Sequence, residues 1–127
     1  MERLKQIEWL LRIGVFGIFL GHGMFAWQGK ESWIPYLLTV GFSESTARFL
    51  LPYIGSLDIL VAFLVLLKPL RIFILWAFIW TLATALIRPL SGESIWQFVE
   101  RAGNWTVPLV LLILKGIPQH WRDWWRE

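Results

Sequence analysis

The chain has 127 residues, of which 57% are hydrophobic and 17% charged, with a mean hydropathy of +0.57 and a formal net charge of +3. A soluble domain this short cannot hide that much apolar side chain, so the composition points to one integral membrane domain over 1–127, with no room for a separate catalytic domain. Cysteine is absent, which excludes disulfides, Cys-based zinc sites, iron–sulfur clusters and CxxC redox chemistry, and the cations form no basic soluble face for nucleic acid.

Hydropathy predicts an all-α fold, a four-transmembrane-helix bundle with spans at about 7–27, 50–67, 72–87 and a kinked 95–117, then an interfacial tail over 118–127. The first span carries Glu8, Arg12 and His22, although an ionisable group in a bilayer costs about 2.5–3.5 kcal/mol or more. It reads as a retained span rather than a cleaved signal, being too long for an h-region and holding Arg12 inside it. Glu8 precedes Arg12 in the favourable i,i+4 order, which lowers the cost of the cation. Gly14, Gly17 and Gly21 fall within about 60° of one another on a helix and predict a small-residue stripe for close helix packing.

The first connection, Trp33-Ile34-Pro35-Tyr36-Leu37-Leu38, is apolar and aromatic and is expected to lie at the membrane interface, with a lid as the alternative. Gly41 breaks it and Ser43 caps the next helix. Asp58 then sits near the middle of the second span, where an unpaired carboxylate is expensive. A structural ion pair with Arg12 is its expected role, and a ligand or proton-transfer role is the alternative. Lys68-Pro69-Leu70-Arg71 makes a tight hairpin link. The third span places Ala77, Thr81, Thr84 and Arg88 at helical spacing, and Gln97, Glu100, Arg101 and Asn104 follow on one face beyond Pro89. Pro108 has no N–H and leaves the Asn104 carbonyl free.

Arg3, Lys5, Lys68, Arg71, Lys115, Arg122 and Arg126 gather on one side of this topology, which predicts that both termini are cytoplasmic. The ten tryptophans, including Trp27, Trp33, Trp96, Trp105, Trp121, Trp124 and Trp125, are expected to form interfacial belts. His22, Arg88, Glu100, Arg101 and Asn104 then share the outer half of the bundle, with Asp58 below them. Such a polar cluster with apolar walls suits a lipophilic ligand with a polar head, such as a quinone. The competing reading is a self-satisfied network that stitches helices together. No metal site is expected, because His22 and His120 fall on opposite sides, and no catalytic motif is present.

Arg12-Ile-Gly14, Gly17, Gly21-His22-Gly23, Asp58 and Glu100-Arg101-Ala-Gly103-Asn104 with Pro108-Leu109 together resemble the DoxX family over nearly the whole chain. Two positions depart from that pattern. Phe25 and Ala26 occupy the stretch where a lysine usually follows His-Gly, and Asp58 stands where glutamate is usual. The resemblance implies a small four-helix protein of a bacterial or archaeal cytoplasmic membrane. Some of its relatives are quinone-linked oxidoreductase subunits, and others are accessory proteins of redox or stress-response systems with membrane or peripheral protein partners. Arg12, His22, Asp58, Glu100 and Asn104 would be its polar core. A structural or chaperone-like bundle and a small-solute transporter are the rival readings.

Overall fold

The computed structural model describes residues 2–127, leaving Met1 outside the described residues. It is built from helices: α1 (Glu2–Trp27), α2 (Ile34–Thr39), α3 (Glu44–Leu67), α4 (Arg71–Leu90), α5 (Ile95–Val99) and α6 (Ala102–Lys115), with 3-10 turns at Glu31–Trp33 and Trp121–Trp125. Three of them, α1, α3 and α4, are long and apolar enough to cross a membrane. Large apolar side chains such as Leu10, Phe49, Leu60 and Ile113 face outward from the bundle, as lipid contact requires.

The single kinked helix expected over 95–117 is instead divided into α5 and α6. Its break has a local cause at Arg101. The Arg101 guanidinium donates to the Gln97 carbonyl, the acceptor that an α-helix would offer to the Arg101 amide, and that amide turns to Phe98 instead. By itself α6 is 14 residues, or about 21 Å long, short of a hydrocarbon core. Gly116, with φ at +93°, ends it.

Helix α1 lies along α3, α4 lies along α6, and α1 also meets α6. The sequence-adjacent pair α3 and α4 touch only sparsely, so they diverge from their short link at Lys68-Pro69-Leu70. Val15, Phe19, Val61, Ala62, Val65, Ile74, Ala77, Leu111 and Leu112 fill the core where the four long helices meet. Lipid tails are as apolar as these side chains, so close packing rather than transfer from water holds the helices together.

The closest approach falls at Gly23 and Gly55. A Cβ on Gly55 would lie 2.4 Å from the Trp27 amide nitrogen, and one on Gly23 would lie 2.9 Å from the Gly55 carbonyl oxygen. Of the predicted stripe, only Gly14 meets a neighbour, Val107, whereas a Cβ on Gly17 or Gly21 would enter open space. The stripe therefore turns its later glycines outward, and Gly23, within the same Gly-His-Gly run, takes the contact.

A second, smaller core joins Ala26, Ile34, Ala47 and Leu51 with Trp33 and Leu37, and it seats α2 across the ends of α1 and α3. Gly41 terminates α2 at a φ of +104°, and the Ser43 hydroxyl accepts from the Thr46 amide to start α3. Among the tryptophans assigned to interfaces, Trp96, Trp121 and Trp125 are exposed, while Trp33 and Trp124 turn inward onto the cores.

Candidate functional site

The divergence of α3 from α4 leaves a cavity of about 560 Å³ between them, floored by α1 and roofed by α2. That volume lies within the range of small-molecule sites. Its wall is almost wholly apolar, and His22, Asp58, Arg88, Tyr36 and Thr84 are the polar side chains that reach it. Helices α5 and α6 contribute nothing to the lining.

Arg88 comes from the last turn of α4, where a cation is favoured by the free carbonyls of the helix end. One guanidinium nitrogen donates to the Tyr36 hydroxyl at 2.9 Å, and the group lies 5.1 Å from the Tyr36 ring centre. Its Nε is buried without a partner, and Arg88 forms no ion pair among the described residues. Burial pushes the Tyr36 hydroxyl above its ordinary pKa, and the Glu93 carboxylate beside it acts in the same direction. Tyr36 therefore stays a neutral hydroxyl.

Asp58 is buried at the middle of α3 with Oδ1 unpartnered, and the indole of Trp80 is the neighbouring donor directed at its carboxyl. The expected Arg12–Asp58 ion pair does not form. Arg12 instead pairs with Glu8 at 3.2 Å, lies 3.8 Å from the Trp9 ring centre, and donates to the Leu66 carbonyl. Leu66 is eight residues beyond Asp58, about 12 Å further along α3, which puts Arg12 out of reach. The packing of Gly23 against Gly55 and Ile59 sets this register. It also brings His22, the neighbour of Gly23, to the depth of Asp58, the neighbour of Ile59. The His22 ring meets Trp33 edge to face at 5.6 Å and stands in the field of Arg88, Arg101 and Lys30.

The structure thus brings three predicted site residues, His22, Asp58 and Arg88, to one cavity. It sets Glu100, Arg101 and Asn104 apart from the lining. Arg101 satisfies itself locally, donating to Glu100 at 2.7 Å and to the Gln97 side chain at 2.9 Å. Thr81 and Thr84 donate to carbonyls of their own helix, at Ala77 and Thr81.

Sequence reasoning missed Tyr36, Trp33 and Trp80 as lining groups. A signal for the first two was present: Trp33, Tyr36, Leu37 and Val40 recur at i, i+3, i+4 and i+7, one face of a helical segment, and all four line the cavity. The segment expected at the interface is therefore the roof of the site. Three ties fix it. Arg48 of α3 reaches Glu31, Arg88 of α4 reaches Tyr36, and the Thr39 and Ser91 hydroxyls meet at 2.8 Å. The Arg48 hydrogen bond holds the Glu31 carboxyl below its ordinary pKa. No family model, no curated protein and no solved structure matches the chain.

Proposed function

We propose that this chain is a DoxX-like membrane subunit or accessory protein that holds a quinone in the α3–α4 cavity for a redox or stress-response partner protein. In this reading it has four spans, the α5–α6 stretch completing the last crossing: residues 95–115 extend about 31 Å if the two helices run on from one another. Both termini are cytoplasmic, since Lys5, Lys68, Arg71 and Lys115 collect at one end, and the membrane is a bacterial or archaeal cytoplasmic membrane.

One observation carries the reading: Arg88, a buried guanidinium that forms no ion pair among the described residues, lines an apolar cavity that has few other polar groups. A buried cation without a counter-ion is costly, and a ligand oxygen in the cavity would accept from its guanidinium. A quinone carbonyl fits because it accepts from Arg88 without bringing a second charge into a poorly solvated site. The ring's opposite oxygen would face Asp58 and His22, either of which would accept the one hydrogen bond that its hydroxyl form donates. The apolar walls would take the ring faces.

The test is mass spectrometry of organic extracts and co-purifying proteins from gently solubilised material, comparing wild type, His22→Ala, Arg88→Leu and Glu100→Gln. Stoichiometric quinone in wild type and Glu100→Gln, lost in the two cavity variants, supports the reading. A retained protein partner with no quinone in any form replaces it with a structural or chaperone-like bundle.

A small-solute transporter is the second reading, favoured by an Asp58 that Arg12 does not neutralise. It predicts substrate-driven collapse of a proton gradient in proteoliposomes, abolished by Asp58→Asn, and a quinone-bound protein without such activity rejects it.

A further inference from the structure

We infer that the cavity opens sideways into the bilayer between α3 and α4, and that its ligand is a membrane-dissolved molecule whose hydrocarbon tail stays in this cleft while its oxygen-bearing head reaches Arg88 and Asp58. The inference rests on the reading that the cavity holds a lipid-soluble ligand, and it adds the route of access and the part of the ligand that the cleft recognises.

The lining divides sharply by exposure. Val40, Phe42, Ala83, Leu86 and Leu90 are exposed, whereas Asp58 and Arg88 are 3% and 8% exposed. Every exposed member of the lining is apolar and every charged one lies deep. A cavity fed from water would present polar groups at its mouth to draw in a soluble ligand, and this one presents only hydrocarbon. The exposed rim belongs to α4 and the segment after α2, with Leu50 and Ile54 of α3 half-buried behind it, and α3 and α4 are both long and apolar enough to cross a membrane. The cleft between them therefore faces lipid tails.

The other exits are closed. The floor is α1, which lies along α3 with its backbone at the Gly23–Gly55 contact in touch with that helix. The roof is α2 with the 3-10 turn before it, the turn tied to α3 through Glu31–Arg48 and α2 tied to α4 and its end through Tyr36–Arg88 and Thr39–Ser91. Helices α3 and α4 have no comparable tie across the cleft, because they diverge from their shared link.

Both ends of the ligand are specified by this arrangement. The Arg88 guanidinium and the Asp58 carboxyl, the charged groups of the lining, set its head, which needs an acceptor for the first and a donor for the second. The apolar rim sets its tail. A head without a tail would leave the cleft to be filled by the acyl chain of a neighbouring lipid.

The experiment uses the full chain in phosphatidylcholine nanodiscs doped with a phosphatidylcholine that carries a diazirine in its acyl chain. Adducts are mapped by peptide mass spectrometry after irradiation, in wild type and in Ala83→Trp, which fills the cleft from an exposed position. Leu86→Trp repeats the block from a site that already holds a large apolar side chain. Adducts on the inward residues Leu51 and Trp80 are expected in wild type and fall at least about fivefold in both variants, as a filled pocket should exclude the chain. Leu57 and Leu60, exposed on α3 away from the cavity, should label equally in all three. Adducts confined to such outward positions in wild type would overturn the lateral opening.

A long-tailed benzoquinone and its tail-less ring are then added as competitors. The tailed compound should suppress labelling of Trp80 in wild type, and its affinity should drop about tenfold in Ala83→Trp, against about twofold or less for the ring. Cavity labelling that neither quinone displaces keeps the lateral opening and rejects the quinone. Quinone binding without cavity labelling, or equal for both compounds, keeps the quinone and rejects the lateral opening.

Discussion

Arg12 and Arg88 stand at opposite ends of the bundle and are equally buried, at 8% exposure each. Arg12 has Glu8 on one side and the Leu66 carbonyl on the other, and Glu8 is also 3.6 Å from Lys115. Close by, Arg71 spends its terminal nitrogens on the carbonyls of Lys115 and Asp123, leaving its Nε without a partner as in Arg88, and its amide donates to Arg126. Charge at that end closes helix ends and fixes the tail. Arg88 has one hydrogen-bond partner, the neutral Tyr36, with the Glu93 and Glu100 carboxylates in its field but no ion pair among the described residues. Beyond it lies an apolar cavity lined by the Asp58 carboxyl, whose Oδ1 has no partner. A buried ion that is paired can be explained by the fold alone, and a buried ion that is not has to be explained by something the fold awaits.

Substitutions at the two arginines should separate these roles. Arg12→Leu removes one of the two cations on Glu8 and the donor to Leu66, and is expected to destabilise the bundle by about 2–3 kcal/mol, at or below the low end for breaking a buried pair because Glu8 is partly solvated and keeps Lys115. Chemical denaturation in mixed micelles measures it. Arg88→Leu should cost less than about 0.5 kcal/mol of stability, since it removes an unpaired buried cation, yet should reduce quinone retention about tenfold. Equal loss of stability in the two variants would erase the contrast. Asp58→Asn sharpens it further. The amide keeps the shape and sheds the cost of a buried carboxylate, so stability should rise by up to about 1 kcal/mol while quinone retention falls about threefold.

The long helices were legible because their hydropathy and length leave few alternatives, and the cap at Ser43 and the break at Gly41 were readable from local chemistry. Their mutual register was not. Whether Asp58 faces Arg12 or His22 depends on which glycines meet, and Gly14, Gly17 and Gly21 advertise a stripe at least as well as Gly23 does. The contact at Gly23 is chosen by its complement, Gly55, on a helix distant in sequence. Nor was the division of α5 from α6 readable, since it turns on the Arg101 guanidinium capturing the Gln97 carbonyl. That same local satisfaction removed Glu100 and Arg101 from the site. A polar cluster at perfect helical spacing is as able to satisfy itself as to bind a ligand, and spacing alone does not distinguish the two.

The smallest expected effect concerns the roof, where the two ends differ in how firmly their caps are held. The tail at the Arg12 end is fixed through backbone carbonyls, which do not titrate. The roof over the cavity is held in part by Glu31 to Arg48, an exposed pair whose acid has its pKa lowered by the guanidinium. A carboxyl with a depressed folded-state pKa contributes its full stabilisation above its ordinary pKa, and loses it as the pH falls through the lowered value. Opening of α2 should therefore increase on acidification, by only about twofold because the pair is solvated. Glu31→Gln should show that opening already at neutral pH and remove its acid dependence. Amide exchange over residues 33–39 reads both effects. If the roof governs access to the cavity, Glu31→Gln will also speed quinone exchange. If the ligand passes between α3 and α4, the same variant will loosen the roof and leave quinone exchange unchanged.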